Sequence, residues 1–141
     1  MTGTQLHSVA RLKKLLPAGE IVLTPKIRAR YAGDKWFATH QPDAVALPRS
    51  TKSVARILRF ANRHNLPVTA RGAGYGYVGG CVPVRGGIVL SLERMNRIRE
   101  INTGDFVAVV QPGVRTERFQ KEVEKLNRYY PPDPASRADS S

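Results

Sequence analysis

Five glycines fall within the nine residues Gly72 to Gly80, directly after a short apolar run at Val68. Glycine takes positive φ without strain, yet costs chain entropy wherever another side chain would serve. Such density is expected where a backbone must come close to something. Successive N–H groups of a loop like this turn to one concave side and hold an anion without any side-chain charge. The segment Gly74-Tyr75-Gly76-Tyr77-Val78-Gly79 also matches G-x-G-x-x-G by letter. That pattern, as a dinucleotide fingerprint, needs a helix to start inside the glycines so that its N-terminus meets the pyrophosphate. Here the chain continues Gly80-Cys81-Val82-Pro83-Val84-Arg85-Gly86-Gly87, and nothing in that run is helical. Glu93 has the spacing of a ribose contact, but it reads equally as a solvent-side residue after a strand. The sequence therefore argues against a Rossmann fold and for a phosphate nest built from a loop. A glycine-rich hairpin with only a turn role is the plainer alternative.

The elements around this loop alternate. A first helix is expected over Thr4 to Leu16, with a loose stripe of Leu6, Val9, Leu12, Lys13 and Leu16, ended by Pro17 and Gly19. Ile21 to Leu23 is too short to assign. Tyr31 to His40 reads as a loop, with Asp34 as a turn residue and Trp36 and Phe37 placed by default in the core. Ala44 to Leu47 reads as a buried strand ended by Pro48. Ser50 or Thr51 caps the clearest helix, in which Val54, Ile57, Leu58 and Ala61 follow the i, i+3, i+4, i+7 pattern. Lys52, Arg56, Arg59 and Arg63 fall opposite them and read as a solvated face. Asn65 suits a left-handed end. Strands are expected at Pro67–Ala70, Ile88–Leu92 and Val107–Val110. Thr116 caps a last helix with Phe119, Val123 and Leu126 on one side. Glu117 with Lys121, and Glu124 with Arg128, stand at i, i+4 in the favourable order. The pattern gives an α+β chain with α/β layers. Its expected divisions are an N-terminal helix and leader over 1–43, a partial domain over 44–136 and a disordered tail over 137–141.

The chain has 23 lysines and arginines against 11 acidic residues, a formal net charge of +12. This favours anionic partners without choosing among nucleic acid, acidic lipid and phosphate-bearing small molecules. The single cysteine, Cys81, rules out an internal disulfide scaffold, and it reads as small buried filler. His7, His40 and His64 are scattered, His64 being expected in solvent, so no metal site is expected. The longest unbroken apolar stretch is Phe106 to Val110, far short of the roughly 20 residues of a membrane span. Arg11, Lys13 and Lys14 are not followed by an apolar h-region, so no secretory signal is expected and a cytoplasmic location is.

From Pro48 to Ser136 the chain resembles the FAD-linked oxidases with a PCMH-type, vanillyl-alcohol-oxidase-like domain, in the branch of glycolate oxidase and D-lactate dehydrogenase. The stretches that carry the resemblance are Pro48-Arg49-Ser50-Thr51, Pro67-Val68 with Arg71-Gly72-Ala73-Gly74, Gly79-Gly80, and Pro83 to Leu92. Met95-Asn96-Arg97-Ile98, Pro112-Gly113-Val114 and Pro131-Pro132-Asp133-Pro134-Ala135-Ser136 follow in order. The resemblance implies FAD, with its diphosphate on the loop Arg71, Gly72, Ala73, Gly74, Tyr75, Gly76 and Tyr77. It implies further contacts from Gly79, Gly80, Pro112, Gly113, Pro132, Asp133, Ala135 and Ser136. Covalent members commonly carry a histidine where this chain has Tyr75, so the flavin is expected to be non-covalent.

Relatives continue past the Pro-Pro-Asp-Pro-Ala-Ser stretch with the rest of the flavin domain and a substrate-binding cap. No catalytic residue or metal ligand is therefore carried over. The expectation is the N-terminal part of a flavin-dependent oxidoreductase acting on a 2-hydroxy acid of the glycolate or D-lactate type. It is expected to be inactive alone and completed by a C-terminal polypeptide. Two rivals stand beside it: a basic module binding nucleic acid or another polyanion, with nucleic acid the less expected, and a remnant that cannot fold by itself.

Overall fold

A computed structural model describes residues 3–141, with side chains from residue 9 onward. His7 and Leu6 thus lie outside the described side chains. The elements run α1 (Gly3–Leu15), β1 (Ile21–Val22), α2 (Pro25–Ala29), β2 (Ala44–Ala46), α3 (Thr51–Arg63), β3 (Val68–Arg71), β4 (Ile88–Ser91), β5 (Ile98–Asn102), β6 (Val107–Val110) and α4 (Thr116–Glu124). One sheet has four strands in the order β1-β2-β4-β3, with β4 parallel to both neighbours and β1 antiparallel at the edge. A second, two-stranded sheet pairs β5 with β6. Among the described residues no helix is long and apolar enough to cross a membrane.

The core lies between the first sheet and two helices. Val9, Leu12 and Leu16 from the α1 segment and Ile57, Phe60 and Ala61 from α3 meet Ala44, Ala46, Ile88 and Leu90 of the sheet. Side chains alternate across a strand, so Val45 and Val89 face the other way, and they too are fully buried. Burial on both faces explains why β2 and β4 read as continuous apolar runs. Ser50 caps α3, its hydroxyl accepting from the Ser53 N–H at 3.1 Å, and Asn65 follows with φ of 51°.

Periodicity sets α3 about one residue out of phase. Phe60 is 7% exposed and Leu58 45%, so Ser53, Ile57, Phe60 and Ala61 face inward. An aromatic ring removes more apolar area from water than a leucine, and this decides the helix's rotation. The Phe60 ring lies 4.2 Å from that of His64, which is half-buried rather than solvated. Trp36 and Phe37 are also not in the core: they are 60% and 82% exposed and pack on each other, centroids 5.5 Å apart.

The crossover from β3 to the parallel β4 contains no helix; residues 72–87 make it as loop and turns. This is the physical difference from a Rossmann unit, in which a helix makes that connection. The loop re-enters β4 through Gly86 and Gly87, with φ of 67° and 75°. A Cβ at Gly87 would run into the Pro67 carbonyl, and its N–H donates to Asp43 Oδ2 at 2.6 Å.

At α4 the cap differs from expectation. Arg115 is the N-cap and gives no side-chain bond. The Thr116 N–H donates instead to the Ser140 carbonyl at 3.1 Å, and the Glu117 N–H to the Arg137 carbonyl at 2.9 Å. Residues 137–141 therefore fold against the exposed first turn of α4, whose free N–H groups need acceptors, where composition suggests a loose tail. The Lys121–Glu117 pair forms at 2.9 Å. The helix ends at Glu124, so Arg128 reaches the Phe106 ring (5.1 Å) and not Glu124, and Leu126 is exposed.

Phe60→Ala is expected to cost about 3–5 kcal/mol of stability, and the exposed-side Leu58→Ala less than about 1 kcal/mol, by urea denaturation. A larger loss at position 58 than at 60 would contradict this rotation of α3.

Candidate functional site

The glycine loop is held at three points, two of them by side chains. Asp34 accepts from the Trp36 N–H (2.8 Å), as a turn residue does, and its other oxygen accepts from the Gly79 N–H (2.9 Å). The Lys35 N–H donates to the Gly76 carbonyl at 3.1 Å. Arg71 turns its guanidinium back from the loop's first residue, donating to the Gly33 carbonyl at 2.6 Å and to Cys81 Sγ at 3.3 Å. It lies over the Tyr31 ring, 5.8 Å from the centroid. Gly74, with φ of 82°, sits against this guanidinium, which fills the space where a Cβ would stand. Gly74 is favoured by its positive φ, and a Cβ there would also displace the Arg71 guanidinium.

Between these points the backbone is unspent. Among the described residues, the N–H groups of Gly72, Ala73, Gly74, Tyr75 and Gly76 find no acceptor in the protein. They border a cavity of about 380 Å³, shared with Gly80, Cys81, Pro134 and Ser136. A Cβ at Gly76 or Gly80 would meet no protein atom. A run of unpaired N–H groups bordering an open cleft can supply donors to an anion without any side-chain charge.

The other residues singled out in the sequence are distributed as follows. Ala73 and Tyr75 also line a neighbouring cavity of about 410 Å³, with Gly113, Glu93, Asn96, Arg115 and Arg118. Gly113 itself packs against backbone, its N–H donating to the Met95 carbonyl at 2.8 Å. Tyr77 is exposed and meets Trp36 edge-on at 6.2 Å. Tyr75 carries the Lys35 ammonium over its ring at 4.4 Å. Pro112 belongs to an apolar cavity of about 500 Å³ between β6 and α4. Asp133 pairs with Arg137 at 2.7 Å, and the Pro132 carbonyl accepts from Gln120 at 2.8 Å, both beside α4 rather than at the glycine loop. Ala135 is exposed. Cys81 is half-buried at the cavity wall instead of fully buried.

Tyr31 is not marked out by its sequence context. Its hydroxyl donates to Glu93 Oε1 at 2.9 Å, and Ser91 Oγ donates to the other oxygen at 3.2 Å. Burial first, and then the Glu93 carboxylate, push the Tyr31 phenol up to about 12. Tyr31, Arg71 and Glu93 thus join the loop before β2 to the ends of β3 and β4.

Residues 42–141 match the FAD binding domain family. The chain belongs to that family. Its cofactor is FAD, and the unpaired amides of residues 72–76 with the open space before Gly76 fit a diphosphate. The chain is 44% identical to glycolate oxidase subunit GlcD of Bacillus subtilis over 95 residues, 67% of this chain and 20% of that protein. It is 30% identical to D-lactate dehydrogenase of Anaerostipes hadrus over 131 residues, 92% of this chain and 27% of that protein. The fold is similar to that of an alkyldihydroxyacetonephosphate synthase, with a TM-score of 0.85 at 22% identity, over 95% of this chain and 27% of that one. The chain thus spans about a quarter of the length of these relatives.

A phenol with a raised pKa favours the neutral form in the folded protein. Tyr31's contribution is therefore complete below about 10 and is lost as pH climbs toward about 12. Absorbance titration at alkaline pH should show one late-ionising tyrosine that Tyr31→Phe removes. Wild-type stability should fall more steeply than that of the variant across this window; equal slopes would count against the Tyr31–Glu93 bond.

Proposed function

We propose that this chain holds the diphosphate of a non-covalent FAD on the main-chain N–H groups of Gly72, Ala73, Gly74, Tyr75 and Gly76. Gly79, Gly80 and Ser136 border the same ligand. The observation that carries this reading is the run of unpaired amides beside an open cavity. Arg71 acts as a strut behind the loop, since its guanidinium is engaged with Gly33, Cys81 and Tyr31. Gly113 serves the neighbouring wall, while Pro112, Pro132, Asp133 and Ala135 stand further out.

The proposal extends to the whole protein of which this chain spans a part. It is a flavin-dependent oxidoreductase taking a 2-hydroxy acid, as the names of the glycolate oxidase and D-lactate dehydrogenase relatives suggest. Bound FAD supplies the two-electron acceptor for such an acid. The residues present here bind and orient; none is assigned to proton transfer. We further propose that a C-terminal polypeptide completes the domain, that residues 44–136 are its first part, that the chain has no turnover alone, and that it works in the cytoplasm.

FAD titration followed by fluorescence quenching tests the binding site. A Cβ at Gly76 meets no protein atom, so the melting temperature of Gly76→Val should stay near that of wild type while affinity falls about a hundredfold, because each blocked bond to a charged oxygen removes about 1.5–3 kcal/mol. Gly74→Val should lose both binding and loop order, because it collides with Arg71. Unchanged FAD affinity in Gly76→Val, or no saturable quenching with the C-terminal remainder supplied, defeats the proposal.

A further inference from the structure

The outer face of the α1–α3 layer is a concentration of unbalanced charge. Arg11, Lys13 and Lys14 on α1 and Lys52, Arg56, Arg59 and Arg63 on α3 are all exposed. The two helices hold seven of the chain's 23 lysines and arginines and none of its 11 carboxylates. The ion pairs found among the described residues lie on α4 and the segments on either side of it, and none involves these seven cations. Like charges gathered on one layer repel, and an external anionic partner relieves that repulsion.

We propose that this face docks on an anionic lipid surface. The helices are packed side by side over the sheet through Val9, Leu12, Ile57 and Phe60, so their cations share one outward layer. The cavities at the glycine loop and at α4 are lined by neither helix, so the charged face is separate from them. Phe60, the aromatic residue of α3, is buried, which leaves no platform on that helix for stacking bases, as single-stranded nucleic acid would need. Leu15, one helical turn beyond Arg11 on the same face, is 53% exposed. An exposed apolar side chain beside the cations adds a little apolar area that a lipid surface can bury, a minor addition to the charge attraction. The energy is chiefly electrostatic, each cation near such a surface adding to attraction that decays over a screening length.

Co-sedimentation of the full chain with vesicles tests this independently of flavin. The chain should pellet with mixed phosphatidylcholine–phosphatidylglycerol vesicles and not with phosphatidylcholine alone. Affinity should drop at least about tenfold between about 0.05 and 0.5 M salt. Arg56→Glu with Arg59→Glu and Arg63→Glu should abolish pelleting while the melting temperature and any FAD quenching stay as in wild type. Lys13→Glu with Lys14→Glu gives a second variant on the other helix, and Leu15→Gln should weaken binding severalfold. Equal pelleting with neutral vesicles, unchanged pelleting in both charge-reversed variants, or displacement from the vesicles by a single-stranded oligonucleotide at equal phosphate overturns the proposal, the last by identifying a nucleic-acid face instead.

Discussion

Two parallel strands joined without a helix set the terms for this molecule. A helix in the β3–β4 crossover would satisfy its own backbone; a loop over residues 72–87 has to find acceptors and donors elsewhere. Two distant carboxylates supply some of them. Asp34 takes the Gly79 amide and Asp43 takes the Gly87 amide, while Arg71, at the start of the loop, ties its own side chain to the Gly33 carbonyl. What these anchors leave over is the run of unpaired amides from Gly72 to Gly76, the proposed binding surface. On that proposal the site is the unsatisfied remainder of a connection whose ends are fixed.

The scaffold that fixes those ends is small and asymmetric. β2 and β4 are buried on both faces, and α1 and α3 shield one of them. β5 and β6 form only a two-stranded sheet, with Val107, Val109 and Val110 exposed. Two strands alone are marginal in water, and α4 with Phe119 and Tyr130 covers part of their apolar surface. The stable half thus carries the glycine loop, and the more open half carries the residues after Pro112.

Much of this is legible in the residues. The strands at Ala44, Val68, Ile88 and Val107, the Ser50 cap and the absence of a helix after the glycines all follow from local chemistry, because apolar runs and turn residues act within a few positions. What escapes depends on distance or irregularity. β5 is hidden because a register shift between Ile98 and Glu100 breaks the alternation that marks a strand. α2 has five residues and none of them buried, so it leaves no stripe. The rotation of α3 turns on ring size, which periodicity ignores. Asp34 and Asp43 look like ordinary turn residues until their partners, 45 and 44 positions away, are seen. Of the residues proposed for the site, the run 72–76 stays together along one cavity, whereas Asp133 and Pro132 are engaged beside α4.

The contact between Gly74 and the Arg71 guanidinium ties two positions into one heritable unit. A bulkier residue at 74 gains room only when 71 shortens, and a shortened 71 abandons the Gly33 carbonyl and the Cys81 thiol. Each step disturbs the other position, so substitutions at the pair are expected to be non-additive.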